Sequence, residues 1–194
     1  MMMRKDSSEG KRVAWVARAM GKAKEERAFC HVLQVEKHEE ERWIVATDGR
    51  RLHAARMEGD MEVAHYSLGV TESYIILTKL DDPVNFPEWR HMIPEFKKPG
   101  FFANGESCLS KDVDTRTPVL PRIIGILAGE IFHRWEAPVS VDYLSDVLKA
   151  EITWHVNGEN EKKPIVFRHV TDGFLALVMP IMDNRFIEEE KGEW

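Results

Sequence analysis

The chain has 194 residues, 43% apolar and 31% charged, enough for one sizeable core or two small ones. No apolar run approaches the roughly 20 residues that span a bilayer, and Met1 to Ser8 lack the apolar centre of a secretory leader, so a cytoplasmic protein is expected. The net charge of -6 excludes a protein that coats nucleic acid with its whole surface, and two cysteines, Cys30 and Cys108, are too few for a disulfide framework or a metal site of their own. Both are read as free thiols, one on a strand and one in a loop. Charge is uneven: Arg4, Lys5, Lys11, Arg12, Arg18, Lys22, Lys24 and Arg27 face only Asp6, Glu9, Glu25 and Glu26 in the first 27 residues, whereas Glu188, Glu189, Glu190 and Glu193 follow Arg185.

In chain order, residues 1–10 read as a disordered lead-in. From Lys11 the helical spacing of Val13, Val16, Ala17, Met20 and Ala23 predicts a helix capped by Ser7 or Ser8, with Trp15, Arg12, Arg18, Lys22 and Lys24 on its other sides. Such a charged face is ordinary for a solvated helix. Strands are predicted over 29–36, 43–46 and 52–57, the last two joined by the tight turn Asp48-Gly49. A polar break over 57–61 precedes strands over 63–68 and 73–80. Residues 94–118 hold Pro94, Pro99, Gly100, Gly105 and Pro118 and read as a connector, long enough that 100–109 can contain a strand. Pro121 opens a helix through Ile123, Ile124, Ile126, Leu127, Ile131 and Phe132, apolar nearly all round and therefore expected in the core or an interface. A short strand over 139–141, a helix over 143–150 capped by Asp142, and strands over 152–156, 164–170 and 174–182 complete the chain, with turns at Asn157-Gly158 and Asp172-Gly173.

Four stretches carry a family resemblance. Ala46-Thr47-Asp48-Gly49-Arg50-Arg51-Leu52 resembles the Ala-Thr-Asp-Gly-His-Arg-Leu signature of the middle domain of the bacterial DNA sliding clamp, the beta subunit of DNA polymerase III. Ile76-Leu77-Thr78-Lys79-Leu80 and Asn85-Phe86-Pro87-Glu88-Trp89-Arg90-His91-Met92-Ile93-Pro94 are similar to the thread that closes that domain. The stretch from Val139 to Ala150 and the run Leu175-Ala176-Leu177-Val178-Met179-Pro180-Ile181 are similar to the last helix and final strand of the clamp's third domain. The blocks keep family order and cover about half the chain, with 96–137 unmatched.

The resemblance implies an α+β, DNA-clamp-like fold of antiparallel β-sheets with helices packed on one side, reduced to two lobes. The implied divisions are the lead-in 1–10, an abridged clamp-like domain 11–95 lacking its second helix, a connector 96–117, a second lobe 118–182 and an acidic tail 183–194. It also implies a processivity or docking factor whose groove takes clamp-binding peptides of DNA polymerases or repair proteins. Position by position, one wall is Thr47, Gly49, Arg50, Arg51 and Leu52, with Phe29 on the neighbouring strand and Pro94 at the end of the thread. The other wall is Leu177, Val178, Met179, Pro180 and Ile181. Arg51 would hold a polar group at the rim, and Arg50 departs from the family's usual His. On spacing alone the apolar members read as packed interior, and only the resemblance makes them a groove.

Clamps line their channel with basic helices, which makes Arg12, Arg18, Lys22 and Lys24 the candidate contacts to double-stranded DNA. A homo-oligomer is expected, with encirclement of DNA where copies close by symmetry. The tail, a departure from the clamp, whose chain ends just after the last strand, reads as a frayed acidic end or as a segment that folds back over the peptide groove or inserts into a neighbour's. No catalytic residue, metal or cofactor is expected: none of the eight histidines has metal-ligand spacing, no phosphate loop or nucleophile elbow occurs, and Asp48 is explained by turn geometry. The alternatives are a stand-alone adaptor or decoy that carries the groove without binding DNA, and an unrecognised hydrolase built on Asp48 and nearby histidines.

Overall fold

Alternating apolar residues on short strands can close a core only if each strand finds partners on both sides, and here they do so in one sheet. The computed structural model describes residues 1–22, 24–93, 100–103, 119–150, 152–169 and 173–181. The elements are β1 (Met2–Arg4), α1 (Ser8–Val16), β2 (Leu33–His38), β3 (Glu41–Thr47), β4 (Arg51–Met57), β5 (Ala64–Val70), β6 (Tyr74–Lys79), β7 (Phe101–Ala103), α2 (Val119–Trp135), α3 (Val141–Leu148), β8 (Trp154–Asn157), β9 (Ile165–His169) and β10 (Phe174–Val178). They build an antiparallel ten-stranded sheet in the order β1-β6-β5-β2-β3-β4-β10-β9-β8-β7. At the middle of the sheet β4 pairs with β10, with Leu52 opposite Leu177 and Ala54 opposite Leu175.

The expected lead-in at 1–10 is corrected. Residues 2–4 form β1, Met3 is buried, and the amino group of Met1 donates to the Leu77 carbonyl at 2.7 Å. Ser7 caps α1, its hydroxyl accepting from the Gly10 N–H at 3.0 Å, so the helix starts one turn earlier than the apolar spacing suggests. It turns into a tighter 3₁₀ turn at Ala17–Ala19. Gly10 lets α1 approach β1, because a Cβ there would fall 1.9 Å from the Arg4 carbonyl oxygen.

The expected strand over 29–36 is split, with Phe29 and Cys30 in a 3₁₀ turn at Ala28–His31 and β2 beginning at Leu33. Cys30 is buried and free, but on that turn and not on a strand. No strand forms over 139–141. Val141 opens α3, with Ser140 in the cap position and Asp142 in the first turn. The Pro138 carbonyl accepts a single bond, from the Ile181 N–H at 2.7 Å, where a strand would need a ladder. Cys108, Pro94 and residues 183–194 lie outside the described residues.

The sheet has apolar residues on both faces. On one face α1, α2 and α3 pack over Leu33, Val35, Ile44, Ala46, Ala55, Met57, Ala176 and Val178. From α2 this core receives Ile123, Ile124, Leu127, Ile131 and Trp135, while Ile126 and Phe132 stay exposed, so only one side of that apolar helix is interior. On the opposite face Val45, Leu52, Ala54, Val166, Leu175 and Leu177 form a second, smaller cluster. Because β3 and β4 are covered on both faces, Ile44 to Thr47 and Leu52 to Ala55 are buried without alternation.

Candidate functional site

The turn between β3 and β4 is fixed by its own side chains. Thr47 pairs with Leu52, so Asp48, Gly49, Arg50 and Arg51 make the connection. The Thr47 hydroxyl donates to the Arg51 carbonyl at 2.6 Å and accepts from the Gly49 N–H at 2.9 Å. Asp48 Oδ1 accepts from the N–H groups of Arg50 and Arg51 at 2.9 and 3.0 Å, and Gly49 supplies a positive φ of 82°. Arg27 bonds the Asp48 carbonyl at 2.7 Å and packs so closely that a Cβ on Gly49 would lie 2.4 Å from its guanidinium.

Strand alternation divides the candidate peptide-binding residues between faces. Thr47, Leu52, Leu177 and Val166 form one cross-strand row on the face away from the helices. That row is closed: Leu52 is 3% and Leu177 1% exposed, beneath the buried Trp89 and the half-buried Phe86, Met92 and Ile93. Phe29 lies half-buried, edge-on to Phe86 at 6.3 Å. Glu36 on β2 anchors the covering segment, accepting from Arg90 at 2.9 Å and from the Trp89 indole at 3.3 Å. Val178 points into the helix-side core.

Arg51 also turns to the helix side, and its expected role at a rim is replaced by internal bonds. Its guanidinium lies 4.6 Å from the Tyr143 ring centroid and bonds Asp48 at 3.1 Å and Asp146 at 2.5 Å. These contacts tie the turn to α3 across 95 positions of sequence. Burial pushes the Asp146 carboxyl up, but hydrogen bonds from Lys149 and Arg51 outweigh it and hold the group below the usual carboxylate range.

What remains open beside the turn is a cleft of about 520 Å³ between Arg50 and α3. Its lining includes Met20, Lys22, Asp48, Arg51, Ser140, Tyr143 and Asp146. Arg50 and Gly49 are exposed at its edge. The Met179 N–H donates to the Arg50 carbonyl at 2.8 Å, which carries half-exposed Met179, buried Pro180 and exposed Ile181 alongside the turn. Tyr143 and Asp146 are among the lining residues that sequence reasoning missed. The signal available was the i, i+3 spacing of the two on α3, which places them on one helix face.

The basic candidates also divide. Arg12 is largely withdrawn, donating to the Arg56 carbonyl at 2.8 Å, pairing with Glu58 at 3.4 Å and lying 5.0 Å from the Phe174 ring centroid. Arg18 pairs with Asp146 at 3.4 Å and is 42% exposed. Lys22 and Lys24 are exposed, Lys22 facing the cleft. On the helix side Lys5, Lys11, Arg12, Arg18 and Lys149 border a groove of about 410 Å³ floored by Trp15 and Phe174, and no carboxylate lines it among the described residues. Trp15 is therefore not an outward residue. It is 4% exposed, its indole donates to the Val147 carbonyl at 3.1 Å, and it stacks on His53 at 4.2 Å. His53 is fully buried with one ring nitrogen on the Trp15 carbonyl at 3.0 Å, and burial pushes its pKa down to about 4.

Among the described residues, no helix is long and apolar enough to cross a membrane. No family model and no curated protein matches the sequence. Solved structures do. The Bacillus subtilis DNA polymerase sliding clamp superimposes with a TM-score of 0.61 at 14% identity, over 94% of this chain and 64% of that one. The Thermotoga maritima DNA polymerase III beta subunit gives 0.60 at 16% identity, over 94% and 66%. The Streptococcus pneumoniae DNA polymerase III beta chain gives 0.60 at 15% identity, over 94% and 64%. The chain thus spans slightly under two thirds of the length of each. Its α+β architecture, an antiparallel sheet with helices on one side, is the fold of the bacterial DNA polymerase III beta sliding clamps.

Proposed function

We propose that the chain is a non-catalytic, clamp-like docking factor of the cytoplasm that receives short peptides of DNA polymerases or repair proteins at the cleft beside the β3–β4 turn. The observation that carries this reading is the pairing of β4 with β10, which sets Arg50 and Met179 side by side although 129 positions of sequence separate them. An exposed Arg50, a flexible Met179 and an exposed Ile181 would offer a visiting peptide one polar and two apolar contacts. Tyr143, held under Arg51, would serve as the aromatic wall. The interior row Thr47, Leu52 and Leu177 acts as the support of this cleft, with Gly49 shaping its turn and Phe29 belonging to the covering side.

Double-stranded DNA is the second partner in this reading, along the helix-side groove, with Arg18 contributing directly and Lys22 and Lys24 beyond it. A homo-oligomer that closes around DNA extends the same reading. Titration of a fluorescent clamp-binding peptide into the chain is expected to show saturable binding, weakened at least about tenfold by Met179→Asp or Arg50→Glu in a folded protein. Equal affinity for wild type and both variants overturns the cleft.

The adaptor or decoy, which takes peptides and leaves DNA alone, draws on the internal commitments of Arg12 to Arg56 and Glu58 and of Arg18 to Asp146. Duplex affinity that falls steeply with salt excludes the adaptor; affinity that is absent at low salt selects it.

A further inference from the structure

We propose that the groove between α1 and the end of α3 is a docking surface for the glutamate run Glu188-Glu189-Glu190 of the same chain. Three observations converge. The groove is bordered by Lys5, Lys11, Arg12, Arg18 and Lys149 with no lining carboxylate among the described residues, and neither Lys5 nor Lys11 has an ion-pair partner among them. Two aromatic surfaces, Trp15 and Phe174, form its floor, so an acidic segment with apolar neighbours fits better than a bare anion. Residues 182–194 supply such a segment: Asp183, Glu188, Glu189, Glu190 and Glu193 stand against Arg185 and Lys191, with Phe186 and Ile187 immediately before the glutamates.

The described chain stops where that segment can reach. Ile181 donates to the Pro138 carbonyl, two positions before the Ser140 cap of α3. The eight residues of α3 lead from that point to Lys149 at the groove, a distance of about 12 Å along the helix. Glu188 lies seven positions beyond Ile181, an extended reach of up to about 23 Å. The peptide cleft is a poorer host for the same glutamates, because Glu25, Asp48, Asp142 and Asp146 there offset Lys22, Arg50, Arg51 and Lys149. Coulomb attraction therefore draws the run along α3 and past the cleft.

The inference rests on the proposed DNA-facing reading only for its consequence. A tethered segment is present at an effective concentration on the order of millimolar, so duplex DNA must displace it and binds more weakly than to the bare groove. Two measurements separate the parts. First, zero-length carbodiimide coupling of the full chain without DNA, mapped by mass spectrometry, is expected to join Lys5 or Lys11, which border the groove and not the cleft, to Glu188, Glu189 or Glu190 within one monomer. High salt should abolish that product. Coupling of the run to Lys22, coupling found only in a covalent dimer, or no coupling to the groove each overturns the proposal. Second, fluorescence anisotropy with a labelled duplex compares wild type, a chain ending at Met182, and the triple variant Glu188→Lys, Glu189→Lys, Glu190→Lys. Affinity is expected to rise roughly two- to tenfold in both altered chains at low salt. Unchanged affinity in chains that do bind duplex overturns the competition. Duplex binding by none of the three defeats the DNA reading, and the coupling result then decides the docking by itself.

Discussion

The two faces of the sheet are closed by different means. Three helices cover one face, and their contacts are spread over a core that runs from Met3 at one edge strand to Ala103 at the other. The other face is covered by the irregular segment that bears Phe86, Trp89, Met92 and Ile93, with Trp89 as its one buried aromatic ring. A side chain shared by several elements spreads its loss through the core they build, whereas a plug leaves the opposite face undisturbed when it is removed.

The sharpest break of this contrast is Trp15→Ala. Trp15 touches His53, Trp154 and Phe174 and bonds Val147, so it joins α1, the sheet and α3 at once. Its removal is expected to cost about 5 kcal/mol, seen as a lower denaturant midpoint by circular dichroism. Trp89→Ala should cost less, about 3 kcal/mol, and should shift amide signals of β3, β4 and β10 while leaving those of α1 intact. Equal disturbance of both faces would refute the separation.

Acid probes the helix side through His53. The unfolded imidazole of His53 binds a proton near pH 6.5, whereas burial holds the folded one off until about 4. Between those values the unfolded state holds more protons, so stability rises with pH and is lost as pH falls through the window. The shift corresponds to about 3 kcal/mol between pH 7 and pH 4. Urea midpoints measured across that range should show the slope in wild type and a shallower one in His53→Leu, where His65, lowered by burial beside Phe86, still contributes. The smallest expected effect is Ser7→Ala, about 1 kcal/mol through loss of the α1 cap, with β9 and β10 unaffected by amide exchange.

What could be read from the sequence follows the reach of each interaction. The Asp48-Gly49 turn, the Ser7 cap and most strands depend on neighbours within a few positions, and residue type alone reports them. Residues 2–4 were unreadable as a strand because three residues carry no period, and their definition comes from pairing with β6 some 70 positions later. Trp15 looked outward because it lies off the Val13 and Val16 stripe; its partner, Val147, is 132 positions away. The candidate cleft shows the same limit. The turn and the last strand were visible as two walls, but that alternation sends Leu52 and Leu177 beneath Trp89 and Arg51 over Tyr143 is a property of the assembled sheet.

The seam between β4 and β10 also bears on the order in which the protein acquires its shape. Its opposed residues, Arg51 with Val178 and Ala55 with Phe174, close some of the longest loops in the chain. Hairpins such as β3–β4 and β5–β6 can zip from short turns, whereas this pairing must wait for an entropically costly encounter of segments far apart in sequence. Weakening it, by Ala176→Gly for instance, should therefore slow the final kinetic phase of refolding in stopped-flow fluorescence and leave the earliest phase unaltered.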